Sequence, residues 1–412
     1  MMQLFLFRTA ARVWLASLAA VALLSAPVMA APRRAPLPTI LISIDGFRPD
    51  YLSPALTPNL WALAHSGTQG TMRPAFPSIT FPNHWTLVTG LRPDRHGVIN
   101  GAMADPAHPG AIFGKGSEEP FWWEGAEPIW AAAERAGIRT GTMFWPGSSV
   151  AIHGQRPANW QAYHADMPNM ARAETVLDWM RRPASIRPRL VTLYFGDVDV
   201  AGHRHGPQSA QVRDAITSVD AAIGHLRAGL RAMGRSANLV VVSDHGMAPV
   251  DPARVVWAKD YLNPADYRLV SYGGIYFFNN VPGHEAALAQ QVARFPAFIH
   301  CWPKGDLPKR FHYGRNPRVP DWLCLPEPGA RIMDGTPAHP NDGGDHGYDP
   351  DSPDMRALFI ATGPAFRRGG HLPVFDNVDV EPLLRRLIGL PQRTPDQRDG
   401  SDAVFASVLM RR

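Results

Sequence analysis

The sequence predicts an α/β fold, with a central, mostly parallel sheet covered by helices on both faces. Three observations point there. Three short apolar runs lack polar alternation, which suits strands buried on both sides, and each ends at an acid. Helical patterns lie between them, as parallel strands joined by crossovers require. The 412 residues are 45% hydrophobic, too apolar for disorder and enough for a large core.

The elements follow in order. Residues 38–44 form the first expected strand and run into Asp45-Gly46. A helix is expected from Thr57-Pro58, a capping residue followed by a proline at the first helical position, to about Gly67. Another starts just after Thr80, with Pro82 in its first turn. A third spans 127–136 and stops at Gly137. Residues 189–195 form the next strand and lead into Gly196-Asp197-Val198-Asp199, and a long helix covers 209–233. Residues 238–242 form the third strand, followed by Ser243-Asp244-His245-Gly246. From about 251 to 334 the pattern weakens and Pro, Trp and Gly accumulate, which reads as an irregular elaboration, a lid or a small subdomain. No internal repeat or low-complexity segment is present.

The first thirty residues read as a signal peptide. Arg8 and Arg12 precede an apolar stretch from Val13 to Leu24 that is short for a membrane span, and Ala30 offers a cleavage point. Without those two arginines the net charge falls from +5 to +3. That excess is mild and unclustered, so no nucleic-acid groove is expected. No later segment is apolar enough to span a membrane after cleavage. Two cysteines, Cys301 and Cys324, are expected to form a disulfide in an exported, periplasmic or secreted chain.

In open α/β sheets, ligands bind beyond the carboxyl ends of the strands. Asp45, Asp199 and Asp244 are expected at such ends and so to converge. Histidines accompany them: His203 four residues after Asp199, His245 beside Asp244, and His346 in a glycine-rich turn. Mixed carboxylate and imidazole sets suit zinc. A lone Asp-His pair is more often a capped loop histidine, but three such clusters weaken that reading. Thr80 stands at a helix start, where free backbone N–H groups favour phosphate oxygens. From spacing alone it reads first as an ordinary cap, and Ser78 is an equally good cap or nucleophile.

The ordered motifs are Ile44-Asp45-Gly46-Phe47-Arg48, Thr80-Phe81-Pro82-Asn83-His84, Gly90-Leu91-Arg92-Pro93-Asp94-Arg95-His96-Gly97, Trp145-Pro146-Gly147-Ser148, Asp199-Val200-Ala201-Gly202-His203, Ser243-Asp244-His245-Gly246-Met247 and His346-Gly347-Tyr348. Together they resemble the nucleotide pyrophosphatase/phosphodiesterase family of the alkaline phosphatase superfamily, especially its compact bacterial members. The resemblance implies an alkaline-phosphatase-like fold and two Zn²⁺ per chain. One ion would be held by Asp199, His203 and His346, the other by Asp45, Asp244 and His245, with Thr80 as ligand or neighbour. Thr80 would be the nucleophile. It would form a covalent phosphothreonine on nucleotide phosphodiesters and pyrophosphates, which water then clears. Two divalent ions against three carboxylates leave one positive charge for an anionic substrate.

The chain departs from the family at one position. Members carry Asn-Asn where this chain reads Asn100-Gly101, so the phosphate-contacting asparagine is either replaced by Asn100 or missing. Phe81 and Tyr163 are candidates to sandwich a nucleotide base, since stacking tolerates any base. Other readings remain. The same metals could serve a phosphomonoester, a phosphonate or a lipid phosphodiester, or the chain could be a binding protein on a decayed scaffold. A sulfatase is disfavoured because no Cys-x-Pro-x-Arg motif occurs, and an envelope transferase would want several membrane spans.

Overall fold

The computed structural model describes residues 36–335 and 343–410. The expected signal peptide lies outside these residues. In chain order, the elements that shape the site are β1 (Thr39–Ile44), α1 (Pro58–Ser66), β2 (Thr68–Arg73), α2 (Thr80–Thr89), α3 (Ile129–Arg135), β3 (Thr140–Met143), β4 (Asn159–Gln161), α4 (Asn169–Arg181), β5 (Leu190–Phe195), α5 (Asp197–His205), α6 (Ala210–Ala232) and β6 (Asn238–Val242). A second group follows: β7 (Tyr267–Ser271), β8 (Tyr276–Asn280), α7 (Glu285–Val292), β9 (Ile299–Pro303) and β10 (Trp322–Pro326). Then come β11 (Ala357–Thr362) and α8 (Val380–Ile388).

β1 sits at the middle of the large sheet, hydrogen-bonded in parallel to β5 on one side and β6 on the other. β3 and β4 extend the parallel run beyond β5. Beyond β6, β11 runs antiparallel and pairs in turn with β2. The expected mostly parallel sheet is therefore present. Its burial explains the continuous apolar runs. Ile40, Ile42 and Ile44 pack on one face with Leu60 of α1, Val176 of α4 and Ile216 of α6. Leu41 packs on the other with Trp85 of α2, Trp130 of α3 and Leu383 of α8. Alternate residues of one strand thus enter two different cores, which keeps the run apolar apart from the buried Thr39 and Ser43.

The helices fall where the sequence places them, with local differences. Thr57 does not cap α1, because its hydroxyl donates to the Ser53 carbonyl at 2.9 Å. Asp220 of α6 does so instead, accepting the Asn59 and Leu60 backbone N–H groups at 3.1 and 2.8 Å. Ser209 caps α6, accepting the Val212 N–H.

The stretch expected to be irregular is a folded subdomain. β7, β8, β10 and β9 form an antiparallel sheet in that order, and α7 packs on it around Tyr276, Phe278 and Leu288. Its strands have only five residues each, too few to fix a period, and Pro303 and Pro326 close two of them. Cys301 of β9 and Cys324 of β10 lie directly opposite and are joined by a disulfide.

Candidate active site

The carboxyl ends of β1, β5 and β6 open on one side of the sheet, and the proposed site residues collect there. Asp45 leaves β1 with its backbone N–H bonded to the Phe195 carbonyl at 2.9 Å. Gly46 follows at a φ of 66°, and a β-carbon there would stand 3.1 Å from the Asp199 Cα. Glycine therefore serves twice, in the left-handed turn and in the close approach of α5. Asp244 and His245 follow β6. Asp199 differs slightly from expectation. It lies in the first turn of α5, not on the strand end, and the helical spacing puts His203 one turn further on the same face. Thr80 is the first residue of α2.

The three expected histidine ligands are oriented by the same device. His203 Nδ1 lies 3.1 Å from the Gly344 carbonyl, His346 Nδ1 3.0 Å from the Ser78 carbonyl, and His245 Nδ1 2.8 Å from the Gly246 carbonyl. A carbonyl only accepts, so each Nδ1 carries the hydrogen and each Nε2 is left to bind a cation or, without one, a second proton. All three Nε2 atoms face carboxylates. Those of His203 and His346 are each 3.5 Å from Asp199 Oδ1. That of His245 is 3.0 Å from Asp244 Oδ2 and 3.5 Å from Asp45 Oδ1. The His245 and His346 rings stack at 3.7 Å and join the two expected ligand groups into one cluster.

The donor set fits divalent cations. Asp199 Oδ1 is a buried atom with no hydrogen-bond partner, which is costly in a fold unless a cation completes it, and Asp244 Oδ2, equally buried, has only the ring nitrogens of His245 and His84 beside it. The groups whose ligand atoms lie within 4.8 Å are Asp199, His245 and His346, and Asp45, His84 and Asp244. These cut across the expected division because His245 stands between the two. Crowding shows in the protonation balance. Burial, then the charges of Asp244 and Asp199, holds the Asp45 carboxyl well above the usual carboxylate range. Burial opposes ionisation of Asp244 too, but the adjacent His245 keeps it well below that range. Burial also disfavours a charged His245, yet Asp244 and then Asp45 raise it to about 10. A proton on His245 thus partly neutralises three carboxylates, which is the role bound cations would take over.

The hydroxyl of Thr80 faces this cluster. Its Oγ1 is 3.2 Å from His245 Nε2 and 3.5 Å from Asp45 Oδ1. Ser78, the alternative nucleophile, is buried and turned away, donating to the Tyr348 carbonyl at 3.0 Å. Two side chains not singled out from sequence also join. Tyr194 donates to Asp45 Oδ2 at 2.6 Å, and His84 stands 3.3 Å from Asp244 Oδ2. Both lie in segments already marked as strand or motif, yet only the folded contacts show what they touch.

The expected substrate residues are placed unevenly. Phe81 is half-buried, with its ring edge-on to Phe113 at 5.5 Å. Tyr163 is 60% exposed and leans on Phe144 at 5.2 Å and Tyr194 at 6.2 Å, so it flanks the site from the side of Asp45. Asn100 is engaged within the protein. It is buried, its amide nitrogen donates to Ser271 Oγ and its carbonyl accepts the Gly101 N–H, both at 2.7 Å.

Comparison with known proteins agrees with this geometry. The sequence profile described as "Type I phosphodiesterase / nucleotide pyrophosphatase" matches residues 39–349, which hold all the site residues above. The chain belongs to this family. An uncharacterized pyrophosphatase/phosphodiesterase of Schizosaccharomyces pombe is 35% identical over 373 residues, covering 85% of this chain and 77% of the relative. Ectonucleotide pyrophosphatase/phosphodiesterase family member 1 of Rattus norvegicus is 36% identical over 393 residues, covering 88% of this chain and 42% of the relative. The chain therefore spans less than half the length of that relative. Human ectonucleotide pyrophosphatase/phosphodiesterase 5 superposes with a TM-score of 0.85 at 29% identity, covering 90% of this chain and 99% of the other. The murine counterpart is solved as an inactive threonine-to-alanine variant in complex with AMP. As a member of this family the chain is a phosphoric diester hydrolase with the alkaline-phosphatase-like fold. Among the described residues no helix is long and apolar enough to cross a membrane.

Proposed function

We propose that this chain is an exported, periplasmic or secreted, two-zinc hydrolase of small-molecule nucleotides, with Thr80 as its nucleophile. One observation carries the reading: the Thr80 hydroxyl points at two ligand atoms, His245 Nε2 and Asp45 Oδ1, while Ser78 points elsewhere. The residues that would hold zinc are Asp199, His203 and His346 for one ion, and Asp45, Asp244 and His245 for the other, with Thr80 beside the second. Bound there, the pair would acidify the Thr80 hydroxyl and offset charge on the leaving oxygen.

Thr80 Oγ1 gives up its proton and bonds to the substrate phosphorus as the bond from that phosphorus to the leaving group breaks. With ATP, the α phosphorus is attacked and pyrophosphate leaves. Water then attacks the phosphothreonine, AMP departs, and the hydroxyl regains a proton. The start of α2 aims its backbone N–H groups toward the phosphoryl oxygens. Phe81 and Tyr163 would hold the base on either side of this point. Asn100 would serve the phosphate only through the amide hydrogen that Ser271 leaves over. The AMP complex of the murine threonine variant supports both the nucleophile and the nucleotide class.

Product analysis with ATP, a dinucleotide, a nitrophenyl phosphodiester and the matching monoester tests this. AMP with pyrophosphate, and diesters turned over better than monoesters, are the expected results. Release of the γ phosphate first, or a preference for monoesters, would move the same metals to the phosphomonoester reading.

A further inference from the structure

We propose that His84 is a positioning residue that sets the Thr80 backbone and the Asp244 carboxylate for the reaction. The proposal rests on the reading of Thr80 as nucleophile. His84 is fully buried on α2, four residues after Thr80. Its Nδ1 lies 2.9 Å from the Thr80 carbonyl oxygen and 3.3 Å from Asp244 Oδ2. A carbonyl only accepts, so Nδ1 carries the hydrogen and donates it to Thr80, while Asp244 Oδ2 stands at ion-pair distance from the same atom. Nε2 then has a lone pair and accepts from Ser43 Oγ of β1, at 2.9 Å. One ring thereby connects β1, the first turn of α2 and the residue that leaves β6.

The ring cannot swing. Trp145 and Tyr194 stand against it nearly edge-on, at 5.0 and 5.2 Å, and Trp145 Nε1 donates to the His84 carbonyl at 3.2 Å. Tyr194 also holds Asp45. Asp45 and Asp244 are thus each approached by one of two rings in mutual contact. Although Asp45, His84 and Asp244 have ligand atoms within 4.8 Å, both His84 nitrogens are already committed within the protein. His84 therefore supports a ligand and does not act as one, an arrangement whose loss lowers activity or metal affinity by about 10–100-fold.

His84→Asn and His84→Gln separate this from simple packing. Asparagine keeps an N–H near the Nδ1 position, whereas glutamine reaches only the place of Nε2. With the nitrophenyl diester, His84→Gln is expected to lower kcat by about 10–100-fold with KM changed by only a few fold. His84→Asn should keep most of kcat. Equal kcat losses in both variants, or wild-type kcat in His84→Gln, would overturn the proposal. A readout independent of turnover is the ¹⁵N spectrum of histidine-labelled, metal-free protein. The resonance missing from His84→Asn should belong to a ring protonated at Nδ1, and an Nε2-protonated ring would sink the idea even if the variants fold poorly. Thr80→Ala keeps the two failures apart. If it turns over, the nucleophile reading falls. If it is inactive while His84→Gln behaves as wild type, only the role of His84 falls.

Discussion

Two neighbouring motifs carry buried histidines and take opposite roles. Thr80 to His84 opens α2 onto the metal cluster, and Gly90 to Gly97 closes the far end of the same helix. In the second segment the polar groups are satisfied. Asp94 accepts the backbone N–H groups of Gly314, Arg315 and Asn316 at 2.9–3.0 Å. Arg92 and Arg95 pair with Asp376 and Asp399. His96 lies between Thr86, the Pro82 carbonyl and the Val98 N–H. On the first side, Asp199 Oδ1 is buried without a hydrogen-bond partner. Membership of a motif does not separate chemistry from architecture. Hydrogen-bond satisfaction does: a buried acid left incomplete marks where a ligand belongs, and a completed one marks a clasp.

The largest expected effect falls on the incomplete side. Thr80→Ala should lower turnover of the nitrophenyl diester by on the order of 10⁴-fold or more, with thermal unfolding and metal content unchanged. Thr80→Ser should keep part of the rate, because the hydroxyl survives. Next comes metal removal. Purified protein should contain two zinc ions per chain by elemental analysis, lose turnover to a strong chelator and regain it with zinc. Zinc binding to the native state alone should also raise the unfolding temperature. A folded, zinc-supplemented protein holding almost no metal would leave the orphaned Asp199 oxygen without an explanation.

The opposite pattern is expected at the clasp. Asp94→Ala frees three backbone N–H groups of the 314–316 turn, and the loss should be about 2 kcal/mol in urea unfolding. The kcat of the folded fraction should stay close to wild type. A large loss of kcat at unchanged stability would place this motif in the catalytic machinery and undo the contrast.

Much of this was legible in the sequence, for identifiable reasons. Strands buried on both faces write continuous apolar runs, so β1, β5 and β6 are found to within a residue or two of their ends. Asp45 and Asp244 follow from those ends. Asp199 was placed less well, because Gly196-Asp197-Val198-Asp199 reads as a turn as readily as a helix start. The strands around the disulfide are short, so they lack a clean period. The role of His84 was not legible at all. It depends on Ser43, 41 residues away, and on Asp244, 160 positions further along the chain. The partner of Asn100 was hidden for the same reason: Ser271 lies on β7, in the stretch that read as irregular.

Substrate choice sharpens the comparison on the site's rim. Phe81 directly follows Thr80 and keeps part of its ring accessible. Phe81→Ala should weaken nucleotide use by about tenfold or more relative to a small nitrophenyl diester, the loss of roughly one stacking contact. Equal losses on both substrates would make Phe81 a packing residue, in keeping with its edge contact to Phe113.

The smallest effect concerns the satisfied histidine of the clasp and appears only as a slope. Burial lowers the pKa of His96 to about 3, and the nearby Arg318 charge acts in the same direction. Geometry explains why a proton is unwelcome: Nδ1 already accepts the Val98 N–H, and Nε2 is occupied with Thr86 and the Pro82 carbonyl. The unfolded chain releases this restraint, and His96 there titrates near an ordinary value of about 6.5. Below that pH the unfolded state binds a proton that the native state refuses. Stability contributed by His96 is therefore full above about 6.5 and is lost as pH falls toward about 3, by up to about 1.4 kcal/mol per pH unit. Asp379 works the other way. Burial raises its pKa to about 6, so the native state takes up a proton before the unfolded one and gains stability as pH falls through that value. The two effects offset each other in the whole protein, so the difference between wild type and His96→Gln is the quantity to measure. Urea midpoints between pH 7.5 and 5 should fall more steeply for wild type than for the variant, whatever the variant's absolute stability. Parallel slopes would mean that His96 accepts a proton in the fold, and the clasp would then be less complete than its hydrogen bonds indicate.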